Sequence, residues 1–326
     1  MKNKLTVGFT TSFPVEVVFA AGHKPIDLNN IFISGNAAAA VHQAELKGFP
    51  RTICAWIKGN YTAARKAGID EVIGIVQGDC ANSQSLLGIL KDESFPIYHF
   101  SFPLERDQQS LDDEISRLER HYGVTREDSE RVKLRLDKIR RKLLILDELT
   151  WQEGRVNGQE NHYWLVSASD FWGDPDRFEA ELDAFLIQAE QRPKRDSYFR
   201  LAYLGVPPIY SNLYQTLSKL GADVVFNEVQ RQFAMLSLKP DLLSQYLVYT
   251  YPYSVFERLE DILPELEKRR VQAVISYTQS FCHMQIDNMI LKKKIGLPFL
   301  TLEGDQPEEI DSRTLLRLES FMEVHG

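Results

Sequence analysis

The chain has 326 residues, of which 44% are hydrophobic and 26% are charged, a globular composition that is too long for one ordinary core. The formal net charge of −8 disfavours wholesale binding to nucleic acid or to an anionic membrane. No apolar run approaches the length of a membrane span, and polar residues at 10–12 interrupt the stretch that follows the basic start. We therefore expect a cytoplasmic protein with no secretion signal.

The first hundred residues alternate between strand-like and helix-like segments. The pattern predicts strands over 4–9, 51–55, 71–76 and 96–100, and helices over 14–21 and 36–47. Such alternation predicts a parallel sheet covered on both faces, with a ligand site beyond the carboxyl ends of its strands. Cys54 and Cys80 fall at or just after two of these predicted strand ends.

The region from about 105 to 195 is predicted to be mainly helical. One apolar stripe recurs at steps of three and four residues: Val132, Leu136, Ile139, Leu143 and Leu146. The many charges between them include both signs, which favours a solvated helix face over a nucleic-acid patch. A second helix is expected over 175–191, with Asp174 as its N-cap.

From about residue 196 the alternating pattern resumes. Strands are predicted over 198–204, 222–226, 271–277 and 299–303, and helices over 211–220, 287–294 and 313–324. Cys282 follows the third of these strands. The sequence thus predicts an α/β protein with two open parallel-sheet domains of Rossmann or flavodoxin type, over 1–105 and 196–326, joined by a helical segment over 106–195. Two facing sheets could bring all three thiols into one crevice.

Several common sites have little support in the sequence. There is no Walker phosphate loop and no G-x-G-x-x-G fingerprint, and the histidines lack the i, i+4 pairing of a zinc site. His283 lies beside Cys282 in the sequence, where it could donate a hydrogen bond to a metal-binding residue rather than bind a metal itself. The acidic residues at 303–311 either hold a divalent ion or cap the helix that follows.

The cysteines leave two interpretations open. Three cysteines cannot form a disulfide framework, and no C-x-x-C pair is present. They are either small buried hydrophobic residues or ligands of a metal centre.

Several segments resemble the 2-hydroxyacyl-CoA dehydratase and benzoyl-CoA reductase family. Residues 12–25 are similar to its "P-x-E-x-x-x-A-A-G-x-x-P" opening, residues 295–305 to its "G-I-P-x-L-x-x-E-x-D" strand, and residues 317–321 to its closing "R-x-E-A-F" helix. The segments around Cys54, Cys80 and Cys282 look like those of its three cluster cysteines, in the same order. The chain departs from the family pattern at Ala81, where many members have an acidic residue.

The resemblance implies a [4Fe–4S] cluster held by Cys54, Cys80 and Cys282, with an open position on the fourth iron. It also implies an oxygen-sensitive subunit that dehydrates or reduces an acyl-CoA by one-electron, ketyl-radical chemistry in anaerobic metabolism. Ser12 and Glu16 are candidates for contact with the substrate or with the surroundings of the cluster, while an N-cap role is an equal alternative for Ser12.

The implied partners are a homologous subunit, in a homodimer or heterodimer, and a separate ATP-hydrolysing iron–sulfur activator. Two alternatives keep the cluster: a non-catalytic electron-transfer subunit, and a small-molecule reductase of the double-cubane type. A further alternative is a metal-free α/β binding protein with inert thiols.

Overall fold

The computed structural model describes residues 4–195 and 198–326, and the predicted domain boundary at residue 196 lies outside them. Within these ranges the strands form two parallel sheets of four strands each. The first sheet contains β1 (Thr6–Phe9), β2 (Lys24–Asp27), β3 (Glu71–Gln77) and β4 (Ile97–Ser101). The second contains β5 (Phe199–Gly205), β6 (Ala222–Asn227), β7 (Ala273–Gln279) and β8 (Phe299–Gly304). The predicted α/β class with two sheets is confirmed.

The two sheets share one topology. Their strand orders are β2-β1-β3-β4 and β6-β5-β7-β8, so the chain reverses its winding direction between the first and third strand of each sheet. A crevice opens at the carboxyl ends of the strands where this reversal occurs. Each sheet therefore offers a ligand-binding edge at the end of its third strand, β3 or β7.

Five helices accompany the first sheet: α1 (Val15–Ala20), α2 (Leu28–Ser34), α3 (Ala37–Leu46), α4 (Ala55–Lys66) and α5 (Ala81–Asp92). The predicted strand over 51–55 is wrong, because this segment is a turn that leads directly into α4. Ile53 and Cys54 pack against the same apolar cluster as the approach to α4, and α4 buries its own apolar face against Leu28 and Val72. Strand β2 and helices α2, α4 and α5 were missed by the sequence patterns.

The middle of the chain is helical, as predicted, with α6 (Gln108–Tyr122), α7 (Arg126–Trp151), α8 (Gly158–Ser167) and α9 (Pro175–Glu190). The stripe on α7 is buried in the same apolar core as β1 and β3, apart from Val132, which is partly buried. Asp174 caps α9 by accepting from the backbone N–H of Arg177 at 3.2 Å, which confirms the predicted cap.

The prediction of a solvated charged face on α7 is wrong in part. Lys133, Asp137 and Arg140 are all buried, whereas other charges of the segment remain exposed. Lys133 Nζ lies 2.6 Å from Asp137 Oδ2, and Arg140 Nη2 lies 2.7 Å from Glu16 Oε1. The cause is tertiary, because α1, α9 and other helices cover the sides of α7 that an isolated helix would expose.

The remaining helices are α10 (Leu213–Lys219), α11 (Glu228–Phe233), α12 (Leu242–Leu247), α13 (Val255–Lys268), α14 (Met284–Ile295) and α15 (Ser312–His325). Asp311 accepts from the N–H of Thr314 at 2.7 Å, so it caps α15. Helix α12 packs on α6 and α7, which carries the second half of the chain back onto the first core. Among the described helices, none is both long and apolar enough to cross a bilayer.

Candidate functional site

A cavity of about 920 Å³, its mouth included, brings together residues from both halves of the chain, and all three cysteines line it. Cys54 comes from the start of α4, Cys80 from the loop after β3, and Cys282 from the loop after β7. Much of the remaining wall is apolar: Ile33, Trp56, Ile57, Val166, Val206, Pro207, Pro208, Phe233 and Met284. The apolar lining is that of a small-molecule site.

Each cysteine stands at the start of a helix. Cys54 and Cys80 are the N-cap residues of α4 and α5, and Cys282 precedes the N-cap of α14 by one residue. Backbone N–H groups of the following turn lower the pKa of each thiol: those of Trp56 and Ile57 for Cys54, those of Asn82 and Ser83 for Cys80, and that of Met284 for Cys282. Helix N-termini favour negative charge, so this arrangement favours thiolates at three points of one cavity.

Burial opposes that preference when the thiols are alone. It raises the pKa of Cys54 to about 12, and the nearby thiols of Cys80 and Cys282 add to the rise. Burial also raises the pKa of Cys80 and of Cys282 above the ordinary value. Thiols in this state remain protonated at neutral pH unless a positive charge, such as a metal centre, binds them.

Gln279 connects the two halves of the site. It is the last residue of β7, and its side-chain oxygen accepts from the N–H of Ala55 at 3.3 Å and lies 3.8 Å from the sulfur of Cys54. Its amide nitrogen donates to the Tyr277 hydroxyl at 2.8 Å, which fixes the orientation of the amide. The second sheet thereby holds the start of the helix that carries the first cysteine.

The cavity-lining carboxyl of Asp27 lies near a second buried carboxyl, that of Asp170. Asp27 ends β2 and lines the cavity, and its N–H donates to Asp170 Oδ2 at 2.7 Å. Burial, together with repulsion from Asp27, raises the pKa of Asp170 to about 7, and burial raises the pKa of Asp27 as well. Ser169 donates to Asp27 at 2.7 Å. The pair can therefore hold a proton near neutral pH.

His162 contributes a neutral imidazole to the cavity wall. Burial lowers the pKa of His162 to about 4, so the ring is uncharged at neutral pH. Its Nδ1 lies 2.8 Å from the amide nitrogen of Gln230. With Nδ1 accepting from this amide, the proton of the neutral ring resides on Nε2.

The family model of the 2-hydroxyglutaryl-CoA dehydratase D-component matches residues 10–324. The chain belongs to this family. A search of the curated proteins found no match to it. The match covers all three cysteines and strands β2 to β8, which confirms the resemblance seen in the sequence.

Ser12 and Glu16 of this dehydratase component are placed apart from the cavity lining. Glu16 is fully buried between Arg140 and the hydroxyl of Tyr246, which donates to Glu16 Oε2 at 2.8 Å. Ser12 is buried as well, and it is not the N-cap of α1, because Pro14 occupies that position. The alternative of an N-cap role for Ser12 is therefore wrong, and the ion pair accounts for the burial of Glu16.

The three thiols do not suit every kind of metal centre. Among the described residues, no three His, Cys, Asp or Glu side chains converge closely enough to hold a metal ion. An iron–sulfur cluster places fewer demands on convergence, because each thiolate binds a different iron of a larger body. Three thiols on one cavity, each at the start of a helix, fit such a cluster.

A second cavity is also lined by Cys80. It shares Asp79, Cys80 and His283 with the main cavity and adds the buried Arg258. The sequence patterns missed Arg258, as they missed Gln279, Asp27 and His162. The glutamine that ends a strand three residues before Cys282 was visible in the sequence, but its contact with Ala55 joins residues 224 positions apart.

Proposed function

We propose that Cys54, Cys80 and Cys282 hold a [4Fe–4S] cluster and that the chain is the cluster-bearing subunit of a 2-hydroxyacyl-CoA dehydratase. The observation that carries this proposal is the placement of all three cysteines on one apolar cavity, each at a helix start. Membership of the D-component family supports the dehydratase assignment.

A bound cluster would supply a Lewis-acidic iron and one-electron chemistry for an acyl-CoA thioester. The residues of this chain would enclose the acyl group and exclude water. Backbone amides at the starts of α4, α5 and α14 would stabilise the charge of the thiolates. The carboxyl of Asp27 lines the same cavity and, with the neighbouring carboxyl of Asp170, offers a pair that can hold a proton.

The proposal includes two protein partners. The family name denotes one component of an enzyme, which supports a homologous second subunit. The sequence contains no phosphate-binding loop, so the electron would come from a separate ATP-hydrolysing iron–sulfur activator.

The decisive experiment is anaerobic purification followed by iron and sulfide analysis. We expect cluster-level iron and sulfide in the wild type and a marked loss in each of Cys54→Ala, Cys80→Ala and Cys282→Ala, since each variant removes one of three ligands. Ser85→Ala, an exposed serine on the same helix as Cys80, is the matched control and should keep its iron.

Wild-type protein without iron after anaerobic reconstitution would reject the cluster proposal. If iron is present, addition of acyl-CoA separates the two cluster-based roles. A change in the cluster spectrum supports substrate binding next to the cluster, whereas an unchanged spectrum favours a non-catalytic electron-transfer subunit.

A further inference from the structure

Helix α4 carries two unpaired polar atoms on one face of the cavity. Trp56 Nε1 and Asn60 Oδ1 are buried and have no hydrogen-bond partner among the described residues. Both residues line the cavity, and because they are four positions apart on α4 they share one face of that helix. Buried polar groups are rarely left unpaired, because they have lost their hydrogen bonds to water without gaining a replacement.

The orientation of the Asn60 amide follows from its neighbours. The backbone oxygen of Thr10 can only accept, and the Asn29 amide nitrogen donates to it at 2.9 Å. The same nitrogen donates to Asp27 Oδ1 at 2.8 Å, so the oxygen of Asn29 is left as an acceptor. Asn60 satisfies this oxygen through its own nitrogen at 2.9 Å. The remaining Asn60 oxygen must therefore be the unpaired atom, and it is an acceptor.

Trp56 supplies the opposite half of the pair. The indole N–H can only donate, and the ring is held edge-on against Phe32 with the ring centroids 5.3 Å apart. One turn of helix thus offers one donor and one acceptor, both neutral. A carboxylate or a phosphate has no hydrogen for Asn60, whereas a hydroxyl or a secondary amide can satisfy both atoms.

We propose that Trp56 and Asn60 form a specificity site for a neutral group that both donates and accepts a hydrogen bond. This inference rests on the proposed function, whose acyl-CoA ligand contains two such groups. They are the 2-hydroxyl of the acyl chain and an amide of the pantetheine arm.

The test measures the affinity of the anaerobically purified protein for lactoyl-CoA and propionyl-CoA by titration calorimetry. These probes differ only in the 2-hydroxyl group. Trp56→Phe removes the N–H and keeps an aromatic ring, and Asn60→Leu removes the acceptor. We expect each variant to weaken binding about threefold to tenfold. Loss for lactoyl-CoA alone assigns the site to the hydroxyl, and equal loss for both probes assigns it to the pantetheine amide.

Trp151→Phe is the matched control, because Trp151 does not line the cavity. Three outcomes would overturn the inference. They are unchanged affinities in both variants, an equal loss of affinity in the control, and no binding of either probe to the wild type. If Asn60→Leu does not fold, Trp56→Phe decides alone. Iron analysis of the same samples distinguishes failure of this inference from failure of the cluster proposal. If the protein holds a cluster but its affinity for both probes does not depend on Trp56 and Asn60, only the specificity site is rejected.

Discussion

At the residue scale, the buried carboxyl of Asp170 shows how tertiary contacts change the chemistry of one side chain. Its oxygens accept from the N–H groups of Asp27 and Trp172, yet burial and the nearby Asp27 carboxyl raise its pKa from 3.8 to about 7. The folded protein therefore binds a proton at this site at pH values where the unfolded chain has released it.

This shift predicts a stability that depends on pH. The contribution of Asp170 is fully present below the unfolded pKa of 3.8 and is lost as the pH rises through the folded pKa of about 7. Between these values the free energy of unfolding should fall by up to about 1.4 kcal/mol per pH unit. Asp170→Asn should remove this component of the slope, which urea denaturation between pH 4 and pH 7 would measure. An identical slope in the variant would contradict the prediction.

At the element scale, the ends of the parallel strands place the site, and Gly205 shows how tightly they fit. This residue ends β5, directly beside β7, whose last residue is Gln279. Its φ is +90°, and a Cβ atom there would lie 2.2 Å from the backbone oxygen of Tyr277. Backbone atoms of a central strand cannot move aside as the tip of a side chain can.

Gly205→Ala is accordingly expected to destabilise the protein by about 3 kcal/mol or more, from backbone strain and the steric clash together. Gly221→Ala is the matched control, since its φ is +79° but no atom lies within 4 Å of an added Cβ. That control should cost only about 1–2 kcal/mol. Thermal and chemical denaturation of both variants measure the difference, and equal costs would refute the role of the close approach.

At the scale of the whole molecule, α7 joins the two halves of the chain. Its apolar stripe belongs to the core of the first sheet, while Asp147 on the same helix accepts from Arg269 Nη1 at 2.9 Å. Arg269 lies just after α13 and also donates to the backbone oxygen of Val225 in β6 at 2.7 Å. The two sheets that form the cavity are therefore held to one helix.

Removal of this buried link should loosen both sheets together. Asp147→Asn leaves the Arg269 guanidinium with one carboxylate fewer, and we expect a loss of about 3 kcal/mol or more in the free energy of unfolding. Hydrogen exchange should quicken in β1 and β3 as well as in β5 and β7. Faster exchange confined to one sheet would show that the halves are independent. Glu127→Gln, at an exposed ion pair, should change neither quantity.

The α/β class, most of the strands, the apolar stripe of α7 and the family could all be predicted from the amino-acid sequence. These features depend on local periodicity and on motifs, which a chain displays without folding. The predicted strand at residues 51–55 was wrong, because an apolar stretch of a few residues does not distinguish a strand from the approach to a helix.

The folded structure was needed to show that Cys54, Cys80 and Cys282 line one cavity and that Lys133 and Arg140 of a charged helix are buried. It also decided the contact of Asp27 with Asp170 and the unpaired atoms of Trp56 and Asn60. Periodicity indicates which face of a segment is buried, but not which distant segment covers it. The chemistry of this site arises between segments more than a hundred residues apart, and that is the information only packing supplies.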